Sequence, residues 1–288
     1  MINNPILITG VYRSGTTYLS RLLDSHPGLN ITYDSVNYFR YNLKKNTNPK
    51  NYKEIVTEIT TRLENRYEKS LNSDLIIKNL GKFRNITHKD IYSEIMMKYF
   101  NNDGKRWGEK TLLEWSNIPT FLSMFEKSQA IHILRDPRDV LASYKNMTIE
   151  TGDKYLDSIF ANLNSFNKAI EYELKYLKDQ NRTFHSIGKH YLNKGYYYKQ
   201  IKELIKWFPL QNILVLISEN VKENMNNEYN KVYNFLNLKE LKNSKYELEY
   251  ISDDTTEINQ NIYNELIKLF KNDISKLEKL FNIKTNWL

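Results

Sequence analysis

A glycine-containing stretch near the start of the chain holds the residues best suited to chemistry. Residues 10–17 read Gly-Val-Tyr-Arg-Ser-Gly-Thr-Thr, after an apolar run at residues 5–9 and before a helical pattern that Pro27 ends. Glycine permits the backbone angles that let several N–H groups converge, and the positive end of a helix dipole adds to their field. The stretch therefore predicts a strand, a loop and a helix that together bind a phosphate. A plain turn without a ligand is the alternative.

The spacing within the loop narrows the kind of anion. Gly10 and Gly15 are five residues apart and Thr16 and Thr17 follow, which is a P-loop pattern with threonine where lysine is expected. The missing lysine argues against an ordinary nucleoside triphosphate. Arg13 places a cation in the loop instead, and its planar guanidinium suits phosphate or sulfuryl oxygens.

A second unit of the same kind occurs near the middle of the chain. An apolar run at residues 130–134 stops at Arg135, and Asp136, Pro137 and Asp139 then match the first positions of a helix. Capping explains both aspartates, so we assign them no catalytic role. Arg135 does not act as a helix cap, and it stands at the carboxyl end of a strand, where open α/β sheets bind ligands. It is a candidate phosphate ligand.

Two further positions have a functional and a structural interpretation. Asp34 follows a possible short strand at residues 30–33, and it is either a loop or cap residue or a general base near the phosphate loop. Lys110 is a surface charge by default. The stretch around it, residues 106–111, predicts a loop at a strand end, because Gly108 stands beside a Glu–Lys pair.

The rest of the chain alternates strands with helices. A further apolar run at residues 213–217 predicts another buried strand, and helical spacing predicts helices over residues 155–178, 198–208, 227–236 and 257–281. We expect an α/β fold of three layers, with a mainly parallel sheet flanked by helices as in P-loop NTPases. We expect one domain over residues 1–288, since no boundary is visible.

Composition limits the class of protein. The chain has 288 residues, a formal net charge of +8 and no cysteine. The charge suits an anionic ligand or acceptor, and a lysine-rich composition by itself explains it equally well. The lack of cysteine excludes disulfides, thiolate metal sites and cysteine nucleophiles. With no membrane-length apolar run and no signal peptide, the sequence predicts a cytoplasmic protein without a membrane anchor. We expect no nucleic-acid partner.

Together the motifs resemble the sulfotransferases that use 3′-phosphoadenosine 5′-phosphosulfate (PAPS). Arg-Ser-Gly-Thr-Thr at residues 13–17, with Leu-Asp-Ser-His-Pro at residues 23–27 closing its helix, is similar to their 5′-phosphosulfate loop. Leu-Arg-Asp-Pro-Arg-Asp-Val-Leu-Ala-Ser at residues 134–143 is similar to the segment that carries their 3′-phosphate pair. Gly-Glu-Lys-Thr at residues 108–111 resembles a motif of the bacterial and tyrosylprotein branches.

Later stretches resemble the carbohydrate sulfotransferases of the Golgi. They are Gly-Tyr-Tyr-Tyr at residues 195–198, Trp-Phe-Pro at 207–209, Ile-Leu-Val-Leu at 213–216, and the end of the chain from Asp273 to Leu288. Ser218-Glu219 stands where many relatives have Tyr-Glu-Asp, and Leu112 stands where the bacterial motif usually has proline. No histidine matches the base of the cytosolic small-molecule enzymes.

The resemblance implies a role for each matching residue. The 5′-phosphosulfate of PAPS would be held by the loop residues Arg13, Ser14, Gly15, Thr16 and Thr17. Arg135 and Ser143 would hold the 3′-phosphate, and Lys110 would neutralise charge on the leaving phosphate. Asp34 would be the general base, with Glu109 as the second choice. No metal would be required, because arginine and lysine take the place of a cation.

The implied reaction moves the sulfuryl group of PAPS to a hydroxyl, or an amine, of an acceptor such as a carbohydrate, and releases adenosine 3′,5′-bisphosphate (PAP). Acceptor choice would reside in variable, mostly helical segments at about residues 36–105 and 145–195. Two other classes share parts of the pattern. An ATP-dependent small-molecule kinase would need the missing lysine and a metal-binding carboxylate. A non-catalytic nucleotide-binding relative would keep both phosphate sites without needing Asp34 or Lys110.

Overall fold

In the part of the chain that the computed structural model describes, five strands form one parallel sheet at the centre. They are β1 (Ile6–Gly10), β2 (Leu29–Tyr33), β3 (Arg106–Lys110), β4 (Gln129–Leu134) and β5 (Ile213–Ile217). Their order across the sheet is β2-β3-β1-β4-β5, and every neighbouring pair is parallel. All carboxyl ends therefore lie at one edge, with β1 between β3 and β4. The structure describes residues 4–11, 13–33, 38, 42, 49–100, 104–111, 118–148, 170–171, 174, 192, 195–240 and 258–288.

Helices in the described part of the chain cover both faces of the sheet. They are α1 (Thr16–Asp24), α2 (Pro49–Tyr67), α3 (Ser73–Leu80), α4 (His88–Tyr99), α5 (Ile118–Met124), α6 (Pro137–Thr148), α7 (Tyr197–Leu204), α8 (Ser218–Glu223), α9 (Met225–Leu236) and α10 (Gln260–Phe281). Ile6 and Ile8 share an apolar cluster with α1 and α9, whereas Leu7 joins a cluster with α2 to α5. This confirms the predicted three-layer α/β fold. Among these helices none is both long enough and apolar enough to cross a membrane.

The strands predicted from apolar runs are confirmed. Those expected at residues 5–9, 30–33, 130–134 and 213–217 agree with β1, β2, β4 and β5 to within one residue at each end. The helices expected at 227–236 and 257–281 are α9 and α10, and the helix expected at 198–208 ends earlier, at Leu204. The helix expected over residues 155–178 lies largely outside the described residues.

Residues 106–110 form the strand β3, so the prediction of a loop there is wrong. The sequence is polar, but its charged side chains have distant partners. The Arg106 Nε donates to the carbonyl of Asn4 at 2.6 Å, and the carboxylate of Glu109 accepts from the hydroxyl of Tyr92. A buried polar group is tolerated when it is hydrogen-bonded. Tertiary contacts therefore outweigh the local pattern that predicts a loop.

The glycine that suggested a loop instead allows β3 to pack closely. A Cβ on Gly108 would lie 2.7 Å from the carbonyl oxygen of Ile6 and 2.8 Å from Cδ1 of Ile31. We expect Gly108→Ala to lower the free energy of unfolding by about 1–3 kcal/mol through overpacking, measured by denaturant titration. Gly81→Ala is the control, because a Cβ there would meet no atom closer than 3.4 Å. Equal losses in both variants would contradict this account.

A buried histidine in the interior strand β4 makes stability depend on pH. His132 is fully buried, and burial lowers its pKa to about 3. The unfolded chain, with a pKa near ~6.5, binds the extra proton first, so stability is present above pH ~6.5 and is lost as the pH falls toward 3.

For this one group we expect the free energy of unfolding to drop by about 2 kcal/mol between pH 7 and 5. Denaturant titrations at several pH values measure the slope, and His132→Leu should flatten it. An equal slope in that variant would assign the pH dependence to other groups.

Candidate active site

The loop between β1 and α1 has the backbone geometry of an anion site. Gly15 has φ 97° and ψ 11°, and Arg13 has φ 69°, a left-handed value that is uncommon for a residue with a side chain. Ser14 is fully buried, and its N–H and its hydroxyl both donate to the carbonyl of Val11, at 3.3 and 2.7 Å. The serine hydroxyl therefore closes the turn that holds Arg13 in place.

The N-terminus of α1 has no side-chain cap in the described part of the chain. Its N-cap is Gly15, and its first turn contains no acidic residue. Two other helices begin differently: Asn72 caps α3 and Thr87 caps α4, each through a side-chain oxygen that accepts a backbone N–H. The first N–H groups of α1 and the positive end of its dipole are thus available to an anion.

Lys110 ends β3 and reaches the start of α1. Its side chain is buried, and Nζ donates to Oγ1 of Thr17 at 3.0 Å. The parallel pairing of β3 with β1, in which Lys110 is opposite Ile8, places the lysine beside the loop. The interpretation of Lys110 as a surface charge is therefore wrong. A buried ammonium at a helix N-terminus adds to the positive field there.

The predicted ligands of the two phosphates are in direct contact. The Arg13 Nε donates to Oγ of Ser143 at 2.6 Å, across 130 residues of sequence. The Arg135 Nη1 donates to the carbonyl of Arg13 at 3.2 Å. Arg13 thus links three parts of the site: the loop between β1 and α1, the residue that follows β4, and the helix α6.

The helix α6 starts as the sequence predicts. The Asp136 carboxylate accepts the backbone N–H of Arg138 at 2.9 Å, which is an N-cap contact, and it also forms a buried ion pair with the Arg138 guanidinium. The same guanidinium donates to the carbonyl of Trp287 at 2.8 Å and lies 4.2 Å from the ring centroid of Tyr263. Residues near the end of the sequence therefore hold the helix that carries Ser143.

Of the two candidate bases, the structure describes Glu109 but not Asp34. Glu109 is buried, and it accepts a hydrogen bond from the hydroxyl of Tyr92 on α4, on the side of the sheet where Trp107 packs. Burial, together with the charge of Glu109, raises the pKa of Tyr92, so the tyrosine remains a donor. Asp34 lies outside the described residues; it directly follows Tyr33, the last residue of β2.

Three residues adjoin the site without having been assigned to it from the sequence. Ser218 lies against the loop, since a Cβ on Gly15 would be 3.2 Å from its Oγ. Glu219 accepts the backbone N–H of Asp136 at 2.8 Å, and burial raises its pKa. The hydroxyl of Tyr197 donates to the carbonyl of Arg135 at 2.7 Å. Tyr197 lies in the motif stretch at residues 195–198, and Ser218 and Glu219 form the pair at residues 218–219. The family resemblance singles out both stretches without implying a role for either.

The site suits a ligand with more than one anionic group. Arg13, Lys110 and Arg135 come from three different loops or strand ends, and each is connected by a hydrogen bond to the loop or to α6. An uncapped helix N-terminus lies among them. The donor set consists of guanidinium, ammonium, hydroxyl and backbone N–H groups, which bind phosphate and sulfate oxygens. This chemistry fits a phosphosulfate and a second phosphate.

Fold and site together define an α/β protein with a P-loop-like anion site at the carboxyl edge of a parallel sheet. The model of the sulfotransferase family matches residues 5–241, and the chain belongs to that family. The predicted enzyme class is thereby confirmed: a sulfotransferase that uses PAPS as donor and releases PAP. Comparison with curated protein sequences gives no significant match.

Solved structures of bacterial sulfotransferases share the fold. A sulfotransferase from Alicyclobacillus acidocaldarius is 17% identical with a TM-score of 0.62, over 100% of this chain and 99% of that one. Sulfotransferase STF9 from Mycobacterium avium is 12% identical with a TM-score of 0.52, over 99% of this chain and 78% of that one. At such low identity the likeness concerns the arrangement of the backbone.

Proposed function

We propose that this sulfotransferase transfers the sulfuryl group to a hydroxyl, or an amine, of its acceptor by in-line displacement, with the residues named above as its machinery. The observation that carries the proposal is the set of contacts from Lys110 to Thr17, from Arg13 to Ser143, and from Arg135 to Arg13. These hydrogen bonds join residues that the family resemblance selected from three separate motifs, which supports the proposal. A chance match of motifs would not require such contacts.

The loop would bind the 5′-phosphosulfate. The N–H groups at the start of α1 offer donors, and the hydroxyls of Thr16 and Thr17 stand at the same helix start. Arg13 would contribute a guanidinium to the same oxygens, and the buried hydroxyl of Ser14 would maintain the turn. Arg135 and Ser143 would bind the 3′-phosphate, the group that distinguishes PAPS from plain adenylates.

Lys110 would stabilise charge that builds up on the leaving phosphate. Its ammonium is buried at the start of α1, so it acts in a region of low dielectric where a fixed charge has a large effect. The bound donor supplies the sulfuryl group itself. The chain's contribution is orientation and electrostatic stabilisation, as in phosphoryl transfer, and the arginines and the lysine would serve in place of a metal ion.

Asp34 would accept the proton of the acceptor hydroxyl. It follows β2 directly, and β2 is paired with the strand that ends at Lys110. Glu109 is the alternative base, but its carboxylate is already an acceptor for Tyr92 within the core. That contact favours Asp34, because a base must be free to receive a proton from the acceptor.

The acceptor would be a carbohydrate or another hydroxylated molecule. The variable segments at about residues 36–105 and 145–195 would select it, within a single domain over residues 1–288. The family match disfavours the ATP-dependent kinase, in which Arg135 and Ser143 would have no function. A non-catalytic relative would keep the phosphate contacts and would lack turnover.

The choice of nucleotide tests the donor site. We expect PAP to raise the melting temperature more than ATP–Mg²⁺ does, because binding to the native state adds stability by mass action. Arg135→Ala should weaken PAP binding by about 10- to 100-fold, the loss expected for charge-assisted hydrogen bonds. Arg84→Ala, which removes an exposed arginine, is the control. A larger shift with ATP–Mg²⁺ would overturn the proposal.

A pair of isosteric substitutions tests the base. Asp34→Asn should lower turnover by roughly 10²–10⁴-fold and leave the dissociation constant for PAP unchanged, since proton acceptance is lost and the donor site is kept. Glu109→Gln should retain most of the activity. Release of PAP is measured with labelled donor, after an acceptor has been found by screening hydroxyl and amine compounds. The opposite pattern would make Glu109 the base.

A further inference from the structure

One peptide unit at the edge of the sheet is held by side chains at both of its polar atoms. It joins Arg135 to Asp136, between the end of β4 at Leu134 and the start of α6 at Pro137. Its carbonyl oxygen accepts the hydroxyl hydrogen of Tyr197, at 2.7 Å, and its N–H donates to a carboxylate oxygen of Glu219, at 2.8 Å. The strand ladder and the helix supply neither of these bonds.

The contacts of the Arg135 side chain are longer than those of its peptide unit. Nη1 lies 3.2 Å from the carbonyl oxygen of Arg13, and Nη2 lies 3.8 Å from the carboxylate of Asp139, whose side chain is 52% exposed. An ion pair this long and this exposed has little orienting power. Because these contacts restrain the guanidinium only loosely, the orientation of the backbone that carries it also sets where it points.

We propose that Tyr197 and Glu219 are positioning residues that fix the Arg135–Asp136 peptide plane and thereby aim Arg135 at the 3′-phosphate of the donor. This inference rests on the proposed role of Arg135. Neither residue touches the ligand in this account. A protein side chain that is already held within a fraction of an ångström of its binding position contributes its full binding energy. A loosely held side chain loses part of that energy, because it must become ordered when the ligand binds.

Tyr197 is itself firmly placed. It is fully buried as the first residue of α7, and the next N–H of that helix, from Tyr198, donates to the carboxylate of Asp273 on α10 at 2.8 Å. Just before α7, a Cβ on Gly195 would lie 2.4 Å from the ring of Phe270, so only glycine allows α10 to pack this closely. The long helix α10 therefore sets the position of the tyrosine hydroxyl.

Glu219 is placed by the sheet. It lies in the first turn of α8, directly after β5, and β5 pairs with β4 so that Ile217 is opposite Leu134. The carboxylate and the Asp136 N–H thus belong to neighbouring strand ends, at one edge. Hydrogen bonds between a carboxylate and a backbone N–H are among the stronger ones, which suits a fixing role.

The inference also gives one purpose to three separate motif stretches. Gly-Tyr-Tyr-Tyr at residues 195–198 supplies the tyrosine hydroxyl, Ser-Glu at residues 218–219 supplies the carboxylate, and the stretch that begins at Asp273 holds α7. The chemistry of transfer assigns no role to any of these three stretches. Each stretch forms a hydrogen bond either to this peptide unit or to the helix α7, which carries the tyrosine.

Two ligands that differ in the 3′-phosphate test the inference by calorimetry. Tyr197→Phe removes the hydroxyl and keeps the ring, and we expect it to weaken PAP binding about three- to tenfold while binding of AMP changes less than about twofold. Tyr198→Phe, which changes the adjacent tyrosine, should leave both dissociation constants unchanged. Glu219→Leu should repeat the selective loss, and Glu219→Gln, which keeps an acceptor oxygen, should restore PAP binding.

A double-mutant cycle separates positioning from a merely structural role. If Tyr197 acts through Arg135, Tyr197→Phe should have no further effect on PAP binding in the Arg135→Ala background. Additive effects, or an equal loss of PAP and AMP binding in Tyr197→Phe, would overturn the inference and leave the donor site intact. A native chain that binds PAP no better than AMP would instead remove the proposed role of Arg135, and this inference with it.

Discussion

The repulsion among like charges is the constraint on which this site depends. Arg13, Lys110 and Arg135 are brought to the neighbourhood of one helix N-terminus, which is itself positive. Such an arrangement is unfavourable without an anion, so rigid elements must hold each cation in place. A ligand with two or more anionic groups then gains binding energy by relieving the repulsion, and this links the architecture to a donor such as PAPS.

The parallel sheet meets this constraint by placing β1 at its centre. On one side β3 ends at Lys110, and on the other β4 ends at Leu134, just before Arg135. The carboxyl ends of both strands lie beside the loop that follows β1. Further contacts hold these strand ends and the loop in place. Arg138 and Trp287 brace the start of α6, Tyr92 binds Glu109 next to Lys110, and the hydroxyl of Ser14 closes the loop from inside.

Much of the fold could be predicted because its signals are local. Apolar runs identify β1, β2, β4 and β5, and Asp136 followed by Pro137 identifies the start of α6. The strand β3 could not be predicted in this way. Its polar residues are stabilised by Tyr92, Thr17 and the carbonyl of Asn4, which lie elsewhere in the chain, and the close packing of Gly108 against Ile6 exists only once β3 is paired with β1.

The sequence by itself predicted an anion site at residues 10–17, because the order of guanidinium, hydroxyl and glycine there suits an anion loop through local backbone geometry. It also determined the second phosphate candidate, Arg135, from its place after an apolar run. The tertiary structure alone decided that Lys110 is buried at α1, that Arg13 contacts Ser143, and that Tyr197 and Glu219 hold one peptide unit. Those contacts join residues far apart in the chain, so they depend on strand order and helix packing, which no local pattern encodes.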